Sequence, residues 1–174
     1  KVDYKIDGIN ETISIEGLPD FLKAEGTVLD FYNPHISLEL TTNLGIPTKG
    51  VVDITPIFAG TADEESKIEL NLTLPYSTSG KESVTGKFWI ASEEIGVPDG
   101  YTFIKGDIRK LLKRIPDGLT LALNATTVTT ESATIEPQEK YNLSIAYGFG
   151  LPLSFGENMS IAISDTLENL GIGQ

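Results

Sequence analysis

The chain has 174 residues, and 25 acidic against 13 basic side chains give it a formal net charge of −12. A negative charge of this size repels phosphate backbones and therefore argues against nucleic-acid binding. The absence of cysteine excludes disulfides, thiolate zinc sites and cysteine nucleophiles, and the single histidine leaves little room for a histidine-rich metal site or a Ser-His-Asp triad.

Apolar and polar residues alternate from the start of the chain. Val2, Tyr4 and Ile6 follow this period, and the extended run 28–32 ends at the turn dipeptide Asn33-Pro34. Successive side chains of a strand point to opposite faces, so this period predicts strands that are buried on one face only.

The same alternation recurs between turn residues along the rest of the chain. The runs are 36–40, 51–55, 68–74, 84–90, 119–123, 141–147 and 159–163. About ten short strands without a βαβ rhythm predict an all-β fold, an antiparallel β-sandwich that spans residues 1–174 as a single domain.

Two segments depart from this period and predict short helices that cap the sandwich, near 107–115 and near 164–170. In the first, apolar residues fall at helical spacing behind a candidate cap, Asp107, and before the stop at Pro116. In the second, Ser164 or Asp165 would cap a helix that ends at Gly171. A third segment, 148–156, is glycine-rich without a phosphate-loop ending and predicts a kinked or bulged edge strand.

The aromatic residues Trp89 and Tyr101 are candidate ligand-binding residues. Trp89 is out of phase with Phe88 and Ile90, which places its side chain on the outer face of its strand, where it could stack against a sugar. His35, the only histidine, fits an ordinary turn residue better than a general base or a metal ligand, because no second histidine accompanies it.

The first helical segment also carries a cluster of positive charge. Its cations are Lys105, Arg109, Lys110, Lys113 and Arg114. Arg109 and Lys113 are candidate contacts to an anionic sugar, a lipid head group or an acidic protein. The simpler interpretation is an amphipathic helix that covers one end of the sandwich, with cations that suit its own C-terminal dipole.

One phrase of the sequence resembles a known group of proteins. Residues 32–40, followed by the turn 43–47, resemble exported Bacteroidetes lipoproteins described as cell-adhesion proteins, and the strand-Asn-Pro-strand opening is similar to that of water-stress (WHy) and late-embryogenesis domains. The resemblance implies an all-β sandwich at the cell surface or in the periplasm, with a lipid anchor outside this chain, and it brings no catalytic residues. Asp165-Thr166-Leu167 resembles the O-glycosylation acceptor of such exported proteins, which makes Thr166 a candidate modification site.

These observations predict a non-enzymatic, exported protein that serves cell adhesion or surface recognition, with a surface glycan or a protein as partner. No motif for a cofactor, a metal or a transmembrane segment is present in the sequence. Two alternatives stay open. One is a carbohydrate-binding or carbohydrate-active domain that uses exposed aromatics and paired carboxylates, and the other is a carrier of a lipid or small apolar ligand.

Overall fold

The computed structural model describes residues 5–16, 18–24, 31–78, 82–112, 114–127, 141–152 and 160–171. Ten strands lie in these ranges, together with one short α-helix and two 3-10 helices. The strands are β1 (Lys5–Ser14), β2 (His35–Thr42), β3 (Thr48–Phe58), β4 (Thr61–Ala62), β5 (Ile68–Leu74), β6 (Val84–Ala91), β7 (Thr102–Lys105), β8 (Gly118–Thr127), β9 (Asn142–Pro152) and β10 (Ser160–Gly171). The helices are α1 (Asp20–Lys23) and the 3-10 helices Glu64–Ser66 and Ile108–Leu112.

The strands form two five-stranded sheets. In the first sheet the order is β1-β8-β3, and the far edge of β3 pairs with β5 and, further along, with β4. In the second sheet the order is β10-β9-β2-β6-β7. All pairs are antiparallel except β6 with β7. The prediction of an all-β sandwich is therefore confirmed.

The hydrophobic core lies between the two sheets and follows from the alternation in the sequence. In β5 the four apolar residues are buried and the three polar residues between them are exposed. β2 repeats this pattern, with Ile36, Leu38 and Leu40 each only 1% exposed. Each such side chain contributes about 1.5–3 kcal/mol when it is fully buried, so the two inner faces supply most of the folding free energy.

One end of the sandwich is closed by short helical segments. Leu22 of α1 packs in a second apolar cluster with Phe31, Ile115 and Leu151. The 3-10 helix Ile108–Leu112 buries Ile108 completely in the main core. Both segments therefore cap the space between the sheets. Among the described residues, no helix has the length and apolar character needed to cross a membrane.

The helix predicted near 107–115 is shorter than expected and is a 3-10 helix. The amide of Lys110 donates to the carbonyl of Asp107, three residues earlier, at 3.1 Å. This spacing places Ile108 and Leu111 on the same side, where both are buried. Pro116 disfavours the helical conformation of Ile115, which lies beyond the helix but is still buried.

The prediction of a helix near 164–170 is wrong, because this segment belongs to strand β10. Ser164 pairs with Gly148 and Leu167 with Ile145 of β9, and the register shifts between Leu167 and Leu170. A helix of this length is marginal on its own, whereas pairing with β9 provides backbone partners along one edge of β10 on both sides of the register shift.

The glycine-rich segment also differs from its prediction. Gly148 and Gly150 lie in β9, which is flanked by β10 on one side and by β2 on the other and is therefore not an edge strand. The register of β9 with β2 is continuous from Leu143 to Gly150, without a bulge. Of the predicted edge segment, residues 153–156 lie outside the described residues.

Candidate functional site

Trp89 projects from the outer face of the second sheet, as its phase in the sequence predicts. Its neighbours Phe88 and Ile90 are buried in the core, whereas Trp89 is half-buried. In the sheet it lies between Ser37 of β2 and Phe103 of β7. Trp89 is therefore surrounded by other outer-face residues of the sheet.

Two further rings pack against the indole of Trp89. The imidazole of His35 stacks on it with ring centroids 3.9 Å apart and an angle of 20° between the planes. The ring of Tyr101 meets it edge-on at 5.7 Å and 80°. The indole Nε1 is buried and has no hydrogen-bond partner among the described residues. We refer to His35, Trp89 and Tyr101 as the ring cluster.

His35 reaches Trp89 because the positions beside it are small. It is the first residue of β2, and it lies opposite Gly150 on one side and Ala91 on the other. A Cβ at Gly150 would overlap the imidazole atoms Cε1 and Nε2. Burial lowers the pKa of His35 from its ordinary value of 6.5, and a backbone hydrogen bond at Asn33 opposes this shift. The imidazole in the stack is therefore neutral at pH 7.

Tyr101 connects the rings to two charged groups. Its hydroxyl donates to Glu39 Oε1 at 2.9 Å, and Lys87 Nζ lies 3.6 Å from the same oxygen. The Lys87 ammonium also lies 5.6 Å from the centre of the Tyr101 ring. The pKa of Tyr101 is raised mainly by burial, and also by the hydrogen bond to Glu39 and by the negative charge of Glu39. The hydroxyl therefore stays a donor at neutral pH.

The loop that carries Tyr101 is held by the side chain of Asn33. The Asn33 Nδ2 donates to the carbonyl of Glu93 at 3.0 Å, and the Glu93 amide donates back to the Asn33 Oδ1 at 3.1 Å. Asn33 is buried and adopts a left-handed φ of 43°. Asparagine tolerates this conformation better than most residues. The sequence signal for this contact is the Asn33-Pro34 dipeptide, which by itself predicts only a strand break.

A strip of small residues lies beside the ring cluster on the same face. It consists of alternate residues of β9, namely Ser144, Ala146, Gly148 and Gly150. These pair with the outer-face residues of β2, which are Thr41, Glu39, Ser37 and His35. The side chains of the strip have almost no volume, so Ser144, Ala146 and Gly148, which are half-buried, form a low floor beside the rings, whereas Gly150 is buried against the imidazole of His35.

The structure brings together two of the predicted site residues, Trp89 and Tyr101, and separates Arg109 from them. Trp89 and Tyr101 touch each other, whereas Arg109 lies on the 3-10 helix at the end of the sandwich and takes no part in the ring cluster. Lys113 lies outside the described residues. Thr166 lies in β10 and pairs with Ala146 of β9, and the side chain of Thr166 is outside the described part.

The described residues offer no cluster of three His, Cys, Asp or Glu that could hold a metal ion. Two apolar cavities lie in the core, each of about 10 Å³. One of them lies between β9 of the second sheet and β8 of the first, and the other lies under the 3-10 helix Ile108–Leu112. Each has room for about one water molecule, far less than a lipid needs.

Comparisons with known proteins place few constraints on this chain. No family model matches it, and a search of curated proteins finds no match. Among solved structures it is similar to a crystal structure described as a "putative secreted protein" from Parabacteroides distasonis ATCC 8503. The two share 12% identity with a TM-score of 0.45, over 98% of this chain and 75% of that one. At this level of similarity we draw neither fold nor function from the match.

Proposed function

We propose that this chain is a non-enzymatic, exported surface-recognition protein that binds a glycan through the outer face of its second sheet. The observation that carries the proposal is the ring cluster beside the small-residue strip of β9. Tyr101 of the cluster supplies an aromatic ring and a phenolic hydroxyl, and Glu39 beside it supplies a carboxylate. Sugar recognition needs apolar contact to C–H groups together with oriented hydrogen-bonding groups.

The geometry directs a sugar to the rim of the ring cluster. His35 covers one face of the Trp89 indole, so that face is closed to a ligand. The rim is formed by Tyr101, Glu39 and Lys87, whose polar groups lie within hydrogen-bond or ion-pair distance of one another. Their side chains are only partly buried, and a sugar on the floor of Gly148 could reach them.

Glycan binding is favoured over carbohydrate hydrolysis and over lipid transport by specific features of the described residues. Glycosidases work with two carboxylates across a cleft, whereas the rim of the ring cluster is formed with one, Glu39, which is already engaged by Tyr101 and Lys87. A lipid carrier needs a cavity of several hundred Å³, and neither of the two cavities found in the core among the described residues could hold a lipid.

The proposed location is the cell surface or the periplasm, and cell adhesion is the role that this location suggests. Support comes from the resemblance of residues 32–40 to exported Bacteroidetes lipoproteins. A protein partner at the cell surface is compatible with the same recognition surface, since loops and rings held by a rigid scaffold serve either ligand.

The proposal is tested by glycan-array screening followed by titration of the sugars that bind. We expect Tyr101→Ala to weaken binding about tenfold, because a ring contact and the donor to Glu39 are both lost. Tyr76→Ala is the matched control, since Tyr76 is 44% exposed and takes no part in the ring cluster. Absence of signal from every sugar, or equal losses in both variants, would refute glycan binding at this face.

Trp89→Ala is a weaker test, because the indole is packed between His35 and Tyr101. We expect it to lower the unfolding midpoint as well as binding. Glu39→Gln keeps the shape of the rim and removes one charge, so it provides the second binding variant if the Trp89 variant does not fold.

A further inference from the structure

The outer edge of strand β5 is the most regular sheet edge in the described part of the chain. β5 pairs only with β3, in a register that runs without a shift from Ile68 to Leu74. The edge strands β1 and β10 each contain a register shift, and the edge strands β4 and β7 have only two and four residues. Irregular pairing and short length protect a sheet edge from further pairing, and β5 has neither.

The sequence of β5 also lacks the residues that protect an edge. Between Ile68 and Leu74 there is no proline and no lysine, and the single charged side chain is Glu69. Lys110 donates to the carbonyl of Lys67 at 3.1 Å, but Lys67 precedes the strand. Within the described residues, the backbone groups on the outer edge of β5 therefore have no hydrogen-bond partner, and the edge is open to a further strand.

The apolar side of β5 is complementary to a second copy of the same strand. In an antiparallel pair, residues that face each other point to the same side of the sheet. The register that overlaps all seven residues of two β5 strands has Asn71 facing Asn71 of the second copy. Leu70 then faces Leu72 of the other copy and Ile68 faces Leu74, so the buried residues of both copies stay on the core side.

The polar side chains fit the same register. Glu69 faces Thr73 of the second copy, so the two Glu69 carboxylates do not face each other and a hydroxyl lies opposite each of them. The two Asn71 side chains meet on the axis, where each amide is both a donor and an acceptor. Within one copy Glu69 lies opposite Asp53 of β3 and makes no ion pair with a described residue. A partner strand with an acidic residue opposite Glu69 would add to this repulsion, whereas β5 does not.

We propose that this chain forms a two-fold dimer in which β5 pairs antiparallel with β5 of a second copy, so that the two first sheets become one continuous sheet. The pairing adds about six to eight backbone hydrogen bonds. Because both copies use the same edge, the contact is closed and leaves neither β5 edge open. A single strand pair buries less than the roughly 1,200 Å² of a standard interface, so we expect a dissociation constant on the order of 10–100 µM.

The dimer would present both ring clusters in the same direction. A two-fold axis perpendicular to the joined sheet keeps the two second sheets on one side of it, with their outer faces turned the same way. Two sites on one side of a dimer bind a surface that carries repeated ligands more tightly than one site does. This consequence rests on the proposed function, whereas the dimer itself does not depend on it.

The test is sedimentation equilibrium of the intact chain between about 5 and 500 µM. We expect a monomer–dimer equilibrium that weakens at low salt, because each copy carries a net charge of −12. Asn71→Lys places two ammonium groups opposite each other on the axis and should weaken dimerisation at least about tenfold.

Asn124→Lys is the matched control. Asn71 and Asn124 are both exposed and face Val51 of β3 from opposite sides, but Asn124 lies on the interior strand β8. Both variants have the same net charge, −12 + 1 = −11. We expect Asn124→Lys to change the dissociation constant less than about twofold.

Two further experiments test the register. A mixture of Asn71→Lys with Asn71→Glu should restore dimerisation, because opposite charges then meet on the axis. The chain has no cysteine, so Asn71→Cys introduces a single thiol. Facing residues of an antiparallel pair have Cα atoms about 4.5–5.5 Å apart, within reach of a disulfide. Mild oxidation should therefore cross-link Asn71→Cys into dimers and leave Asn124→Cys monomeric.

Three outcomes would overturn the proposal: a wild type that stays monomeric up to about 500 µM, weakening by Asn71→Lys no larger than that by Asn124→Lys, or equal cross-linking of the two cysteine variants. Thermal unfolding checks that each variant is folded, and Asn71→Glu serves as the second disruptive variant. Tyr101→Ala should leave dimerisation unchanged, so the dimer and the glycan site can fail independently.

Discussion

Replacing Gly150 by alanine tests whether the stack of His35 on Trp89 depends on the missing side chain at position 150. A Cβ there would overlap the imidazole, so His35 must leave its place against the indole. Loss of the stack costs about 0.5–1.5 kcal/mol. Alanine in place of a strand glycine gains roughly 0.5–1 kcal/mol, so the two effects nearly cancel in the single variant.

A double-mutant cycle separates these two contributions. In a His35→Ala background the ring is absent, and Gly150→Ala should then stabilise the protein by roughly 0.5–1 kcal/mol. The coupling energy between the two positions is therefore expected to be about 1 kcal/mol.

The assay is urea unfolding of the wild type, both single variants and the double variant, followed by the fluorescence of Trp89, the only tryptophan. We also expect the native emission to change in Gly150→Ala, because the ring next to the indole moves. Additive effects, within about 0.3 kcal/mol, would show that Gly150 does not make room for the stack and would refute this reasoning.

Three further predictions concern the stability of the fold. Asn33→Ala should lower the free energy of unfolding by about 2–3 kcal/mol, measured in urea, because two hydrogen bonds to Glu93 are lost and alanine is strained at this φ. Asn33→Gly should cost about 1 kcal/mol less, because glycine tolerates the φ. The pKa of His35 is lowered in the folded state, so the unfolded state binds more protons below about pH 6.5, and stability should fall from about pH 7 to 5.5. The free energy of unfolding of His35→Gln should not change with pH over that window. If its slope against pH equals that of the wild type, the pH dependence does not come from His35. Asp53→Asn should raise stability by about 0.5–1 kcal/mol in urea unfolding, because Asp53 lies opposite Glu69 and its Oδ1 is buried without a partner among the described residues; an unchanged midpoint would count against this.

Most of the strands could be predicted because their pattern is local. In β5 the alternation of apolar and polar residues is uninterrupted, and the strand has the predicted bounds, Ile68–Leu74. β10 was not predictable in this way. Its Ser164 and Gly171 suggest a helix cap and a helix stop, whereas its conformation is decided by pairing with β9, a tertiary contact that overrides this local preference.

The candidate site was predictable only in part. The phase of Trp89 against Phe88 is a property of one strand, and it correctly places the indole on the outer face. The contact with His35 depends on the register of β2 with β6 and β9, which sets Gly150 and Ala91 on either side of the imidazole. That register is not encoded in any local pattern of the sequence, which therefore predicts only an ordinary turn residue at His35.

The Asn33-Pro34 dipeptide explains how one short sequence can position both sides of the ring cluster. The left-handed φ of Asn33 turns the chain into β2, whose first residue is His35. The side chain of Asn33 hydrogen-bonds the backbone of Glu93, which lies near the start of the loop that leads to Tyr101. Both the start of β2 and the loop before Tyr101 depend on Asn33. A change at Asn33 should therefore disturb the stack on Trp89 and the Tyr101–Glu39 hydrogen bond together. Asn33 itself touches neither Trp89 nor Tyr101 through any described contact.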